Sequence, residues 1–137
     1  MPFVVDASIV VAWALGEIDR RADAAHQRAG QQGEPVLAPR LWWYEVRNAL
    51  IQNERRGRLT APETERFLDA LTGVTTSLDE DADEYRLLTL ARRHRLTVYD
   101  ASYLELALRR GLPLATLDAD LAAAARAEGV PLIGDGG

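Results

Sequence analysis

Short apolar runs and helical periodicities alternate along this chain. Phe3-Val4-Val5 is an apolar run that stops at Asp6, and Ile9 to Leu15 then reads as a helix that Asp6 or Ser8 can cap. Ile18 to Gln31 predicts an arginine-rich surface helix ended by Gly30 and Gly33. Pro35 to Ala38 predicts a small strand closed by Pro39, and Leu41 to Arg56 a long helix stopped at Gly57. Thr60, with Glu63 following it and Pro62 in the first turn, has the form of a capping box for a helix running to Leu71. Val74 to Leu78 predicts a strand, and Asp81 to His94 another amphipathic helix. Two later units then share one design: Val98-Tyr99 runs strand-like into Asp100, and Ala115-Thr116-Leu117 into Asp118, with a helical pattern after each. Val130 to Ile133 predicts a last strand before a glycine-rich tail from about residue 134.

Strands this short, each followed by a helix, imply an α/β fold in three layers: a short parallel central sheet with helices on both faces. No repeat or linker interrupts the pattern, so residues 1–137 are expected to form one domain. In such sheets functional groups gather beyond the carboxyl ends of the strands. That is where Asp6, Asp100 and Asp118 are expected. Glu45 sits one turn inside the long helix, in "LWWYEVRNAL". Its neighbours Trp42, Trp43, Tyr44, Val46, Ala49 and Leu50 are apolar, and an unpaired glutamate among them would be costly.

Composition narrows the chemistry. With 47% hydrophobic and 27% charged residues, the chain has the balance of an ordinary globular protein. It has no cysteine, which removes disulfides, thiolate metal sites and cysteine nucleophiles and is compatible with a cytoplasmic location. The N-terminal segment has no basic stretch and is interrupted by Asp6, so it does not read as a signal peptide, and no stretch approaches a membrane span. A net charge of −5 argues against coating nucleic acid through bulk positive charge. All 16 basic residues are arginine, so Schiff-base and P-loop lysine chemistry are excluded. The arginines still cluster locally; Arg47, Arg55, Arg92 and Arg93 are candidates for contacts with a phosphate backbone, against the alternative of solvated helix ends.

Acids gathered at one sheet edge need a counter-charge. Two carboxylates about 4 Å apart repel by roughly 4 kcal/mol at an effective dielectric near 20. With no lysine, a divalent cation meets the need, and an all-oxygen donor set selects Mg²⁺ or Mn²⁺, as one or two ions. Ser8 and Thr116 lie two residues from Asp6 and Asp118, and in a strand Thr116 and Asp118 would point to one face, so the Thr116 hydroxyl can reach a ligating carboxylate. Each aspartate taken alone also reads as a helix N-cap, and the two roles can coexist. His26 and His94 fall on predicted exposed helix faces with no sign of converging, which disfavours a histidine acid/base pair. Trp13, Trp42 and Trp43 lie in apolar helical stretches and read as packing residues, with base stacking the alternative.

The segments "VVDAS", "YEVRNAL", "VYDASYLELA" and "LATLDADL" resemble the acidic signatures of the PIN domain, in particular of the short VapC-type toxins of bacterial toxin-antitoxin pairs. The resemblance runs from Phe3 to about Ile133 with the acids in the expected order. It implies a metal-dependent ribonuclease in which Asp6, Glu45, Asp100 and Asp118 are the metal-binding acids. Ser8, Asn48 and Thr116 match the supporting polar positions, and Asp120 is a possible additional acid. Asp6, Asp100 and Asp118 would hold the metal, while Glu45 would bind it or orient the attacking water, leaving a 5′-phosphate and a 3′-hydroxyl. The resemblance also implies an RNA substrate, a homodimer, and a cognate antitoxin whose extended segment covers the acidic pocket. A PIN nuclease of RNA processing and a catalytically silent binding module of the same fold are the alternatives. A phosphoacceptor receiver domain or a haloacid-dehalogenase-type phosphatase would need a lysine that the chain lacks.

Overall fold

The computed structural model describes residues 1–135, so the end of the expected glycine-rich tail lies outside the described residues. Strands β1 (Phe3–Val5), β2 (Val36–Pro39), β3 (Thr76–Asp79) and β4 (Leu114–Ala115) form one sheet in the order β3-β2-β1-β4. Every pairing is parallel. The helices are α1 (Ala7–Leu15), α2 (Arg20–His26), α3 (Leu41–Arg55), α4 (Ala61–Leu71), α5 (Glu84–His94), α6 (Val98–Arg110) and α7 (Ala119–Ala127). α6 packs on β1, β2 and β4 with α5 and α7 against it, whereas α1 joins α2 and α3, which reach β4 and β2. This is the α/β arrangement expected from the alternation of strands and helices.

The central strands owe their place to continuous apolar sequence. Phe3, Val4 and Val5 are wholly buried, as are Leu114 and Ala115, because helices cover both faces. The register Val5↔Ala115 sets the next residues, Asp6 and Thr116, side by side as the chains leave the sheet. Asp6 N–H continues the ladder to the Ala115 carbonyl at 3.1 Å. A second tie fixes α6 to the sheet edge: the Arg109 guanidinium is 2.7 Å from Asp79 at the end of β3 and 2.9 Å from Glu105, which is fully buried. Arg109 holds the Asp79 carboxyl below the usual carboxylate range. Removing Arg109 would leave a buried charge unpaired, the costly case.

Several predicted boundaries move. The strand expected at Val98-Tyr99 is the first turn of α6, capped by the Thr97 hydroxyl, which accepts the Asp100 N–H at 3.0 Å. Val98 and Tyr99 are exposed, so their apolar character does not report burial in the sheet. α5 instead ends at Arg95 in the left-handed conformation, and the chain turns straight into α6. The helix expected over Ile18–Gln31 is α2 followed by a π-helical turn at Gln27–Gln31, and the one expected from Asp81 begins at Glu84 with Asp83 as its cap. β3 starts at Thr76 rather than Val74, and the strand expected at Val130–Ile133 reduces to a single bridge, Leu114↔Leu132. The capping box is present: Glu63 accepts from Thr60 N–H at 2.9 Å and Thr60 from Glu63 N–H at 3.2 Å. Gly134, at φ +77, passes so close to α2 that a Cβ there would lie 2.9 Å from the Arg21 Cα.

Candidate active site

The acids arrive at the carboxyl edge of the sheet by different routes. Asp6 ends β1 and caps α1, accepting from Ile9 N–H at 3.3 Å. Asp118 follows β4 and caps α7, accepting from Leu121 N–H at 2.8 Å. Glu45 lies in α3, which follows β2, and Asp100 lies in the first turn of α6. Capping leaves both aspartates with lone pairs free for a second role, because a cap uses only one lone pair of a carboxylate.

Asp6 is the best-held member. Ser8 donates to its Oδ1 at 2.5 Å and Thr116 donates to its Oδ2. The two hydroxyls in turn accept backbone N–H groups from the far side of the site, Leu117 on Ser8 at 2.9 Å and Asp118 on Thr116 at 3.0 Å. Thr116 thus serves the Asp6 carboxylate and the Asp118 backbone. β4 stops at Ala115, so the pleat argument for Thr116 and Asp118 does not apply; the hydroxyl reaches Asp6 because the two strand ends are in register.

Glu45 is half-buried and accepts a hydrogen bond from the hydroxyl of Tyr103, which projects from α6 one turn beyond Asp100. Tyr103 was not anticipated; as part of an apolar helical stretch it reads as core, and its side chain is almost wholly buried. Its place on the same helical face as Asp100, three residues on, is the one available signal. Burial and the Glu45 contact both push its phenol well above the ordinary range.

The acids are coupled electrostatically. Burial raises the Asp6 carboxyl to about 6, opposed by its hydroxyl donors and reinforced by the charge of Asp118. Burial also raises Asp100, with Asp118 and then Asp120 adding repulsion, so the exposed Asp120 lies within electrostatic reach of the site. Glu45 is raised by burial and by Asp100. None of these five acids forms an ion pair among the described residues. The charge that they share is therefore uncompensated by protein.

Other candidates lie apart. Asn48 is exposed on α3, one turn after Glu45. Arg47 shares that helix, but Arg55, at its far end, is about 15 Å along the axis from Glu45. Arg92 and Arg93 close α5, and Arg93 pairs with Glu128 at 2.7 Å. His94 is not exposed as expected but sits 2.6 Å from the same glutamate, and His26 stacks edge-on against Trp13, so neither histidine serves the acids.

Among the described residues no three carboxylate or imidazole groups form a ready-made metal cage. The donor set nevertheless fits a hard divalent cation: it is all oxygen, partly buried, mutually repelling and without an arginine partner. Mg²⁺ in particular keeps several waters and needs only one or two carboxylates directly.

A profile of the PIN domain matches residues 3–127. The chain belongs to the PIN-domain family. Ribonuclease VapC3 of Pyrobaculum aerophilum is 37% identical over 125 residues, which cover 89% of this chain and 93% of the relative. The crystal structure of PAE2754 from Pyrobaculum aerophilum matches this PIN domain with a TM-score of 0.68 at 29% identity, over 90% of this chain and 84% of that one. This chain is thus a PIN nuclease homologue, and the uncompensated acids occupy the carboxyl edge of its PIN fold.

Two outcomes follow from the hydrogen bonds and charges of Asp6 and Glu45. Because the Asp6 pKa is raised from 3.8 to about 6 on folding, the folded chain binds more protons there than the unfolded one, and stability is lost as pH rises through that window. In EDTA, denaturant melts should therefore show the stability of Asp6→Asn improving relative to wild type by about 2 kcal/mol between pH 4 and pH 7.5; a difference independent of pH would refute the shift. Tyr103→Phe should weaken Mn²⁺ binding, read by calorimetry, by about 10- to 100-fold, the usual effect of losing a group that orients a ligand. Its fold should lose only about 1 kcal/mol, since Glu45 can hydrate.

Proposed function

We propose that this protein is a metal-dependent endoribonuclease, the toxin component of a toxin-antitoxin pair, that hydrolyses RNA phosphodiester bonds to leave 5′-phosphate and 3′-hydroxyl ends. The observation that carries the reading is the cluster of Asp6, Glu45, Asp100 and Asp118, in which the charge of Asp118 raises Asp6 and Asp100, that of Asp100 raises Glu45, and no basic side chain among the described residues forms an ion pair with any of them. A relative that is a VapC ribonuclease, aligned over nearly the whole chain, supports the same reading.

In this reading Asp6, Asp100 and Asp118 hold one or two Mg²⁺ or Mn²⁺ ions. A bound ion would supply positive charge at the scissile phosphate and would lower the pKa of a nearby water. Ser8 and Thr116 keep the Asp6 carboxylate oriented, and each carries a backbone N–H of the Leu117-Asp118 segment, so a shift of one strand end displaces both acids. Tyr103 donates to one oxygen of Glu45, leaving the other free to bind the ion or to accept a proton from the attacking water. Asn48 and Asp120 are the proposed supporting polar groups, and Arg47, Arg55, Arg92 and Arg93 are the proposed contacts to the RNA backbone.

The partners belong to the same proposal. The protein acts in the cytoplasm as a homodimer, and a cognate antitoxin covers the acids with an extended segment whose basic side chain substitutes for the ion's charge. No helix among the described residues is long and apolar enough to cross a membrane.

The test is cleavage of total cellular RNA by the purified, partner-free protein with Mg²⁺ or Mn²⁺, with product ends mapped. Cuts bearing 5′-phosphates are expected, abolished by EDTA and reduced at least about a hundredfold in Asp100→Asn, the scale of removing a group that stabilises transition-state charge. Cleavage that survives chelation, or cyclic phosphate ends, would contradict the proposal.

A further inference from the structure

A glutamate without exposed surface stands in the middle of α6. Glu105 is 0% exposed, in a stretch where Tyr103, Leu104, Leu106 and Ala107 are all core residues. A leucine there would pack without desolvating a charge, and replacing a buried ion pair by apolar residues is often neutral or stabilising. Stability alone therefore gives no reason for the charge. What an ion pair adds to packing is direction, because a planar guanidinium fixes the angle at which its partners meet it. The Arg109 fork serves two carboxylates at once: its Nε donates to Glu105 at 2.9 Å, its Nη2 to one Asp79 oxygen at 2.7 Å and its Nη1 to the other at 3.2 Å. The Glu105 contact lies within α6. The Asp79 contact crosses to the last residue of β3, and so it is the one that fixes the helix relative to the sheet. Arg110 reaches the same carboxylate only at 3.6 Å, from a half-exposed position.

α6 is thus held from two sides. Tyr103 and Arg109 leave the helix about 120° apart around its circumference and about 9 Å apart along its axis. The first donates to Glu45 of α3 and the second to Asp79 of β3. Two anchors that differ in direction and in height fix both the rotation and the slide of a helix. The receiving elements are themselves joined: β2 and β3 pair in the register Pro39↔Asp79, α3 begins at Leu41, and Arg40 between them pairs with Glu80. The result is a closed circuit, running from α3 through Glu45 and Tyr103, along α6 to Arg109, across to Asp79 and Glu80, and back through Arg40. Asp100 is carried on α6 and Glu45 on α3, so the circuit sets the separation of these two acids.

We propose that Asp79 and Arg109 are positioning residues for the acid cluster: their tie sets the rotation and slide of α6, and through it the Asp100–Glu45 separation that a divalent cation meets. The inference rests on the metal-dependent reading and adds to it a pair outside the cluster. Arg109 lies about 14 Å along the helix axis from Asp100, so it acts through the helix and not on the ion. A rigid helix transmits a displacement at one end to the other, and a ligand set held by two elements loses affinity when their separation drifts.

Asp79→Ala is the discriminating variant, because it cuts the tie to β3 while Arg109 stays paired with Glu105 and no buried charge is orphaned. Mn²⁺ is titrated calorimetrically into the metal-free protein at room temperature, where denaturant melts show each variant folded. Asp79→Ala should bind it about 2- to 30-fold more weakly than wild type, the range for substitutions that act on a site without touching its ligand. Asp79→Glu, which keeps a carboxylate for Arg109, should recover most of the affinity, and Arg110→Ala should leave it unchanged. In a Tyr103→Phe background the Asp79→Ala factor should shrink, since α6 is then no longer linked to Glu45. A lowered melting midpoint with wild-type Mn²⁺ affinity would make the tie structural alone and overturn the inference, as would an equal factor in both backgrounds. Should wild type bind Mn²⁺ and Asp79→Ala bind it equally well, only this inference fails. If wild type binds no Mn²⁺, the metal-dependent reading fails with it.

Discussion

Asp6 is a nearly buried carboxylate at the end of a fully buried strand, and it is satisfied by hydroxyls borrowed from Ser8 and Thr116 and by the Ile9 N–H. Those hydroxyls also take the backbone of Leu117 and Asp118, so one set of hydrogen bonds joins the ends of β1 and β4 and sets where Asp118 stands. The arrangement holds only because the two strands are paired in register, which in turn depends on the apolar sequence that buries both. Its electrostatic cost is a carboxyl raised to about 6, and no basic side chain among the described residues pairs with it. Stability is given up at that edge, and the proposed ion would supply the charge that restores it.

The two remaining acids come from helices rather than strands, and α6 is what brings them together. It carries Asp100 in its first turn and Tyr103 one turn on, and the Tyr103 hydroxyl reaches across to Glu45 on α3. α6 lies against the sheet and is anchored at its other end by Arg109, which holds Asp79 of β3 and the buried Glu105. The same helix therefore connects an edge strand to the acid cluster, and a disturbance at Arg109 is positioned to move Asp100 and Tyr103 together.

What could be read along the chain follows the reach of local pattern. Apolar runs ending in aspartate placed Asp6 at a strand end and Asp118 just beyond one, because parallel strands buried on both faces are continuous in hydrophobicity, although β4 stops at Ala115. The same pattern misled at Val98-Tyr99, where apolar residues are exposed on a helix whose start is fixed by a Thr97 cap instead. Glu45 was legible as a charge out of place in an apolar helix, yet its partner Tyr103 was not, since a 58-residue separation leaves no periodic trace. Likewise Glu105 and Arg109 are visibly one turn apart, but nothing local shows that the glutamate is buried or that Asp79 shares the arginine. "WWY" gave no hint of which ring faces the core; that depends on how α3 is rotated against its neighbours, a property of packing.

Anomalous diffraction from crystals soaked in Mn²⁺ tests the central claim most directly, because it locates the missing charge without reference to activity. The account predicts a peak within coordinating distance of carboxylate oxygens from Asp6, Asp100 or Asp118, with Glu45 bound to the ion or to one of its waters. A fully occupied peak elsewhere, or an acid cluster still without metal at saturating Mn²⁺ and neutral pH, would contradict it.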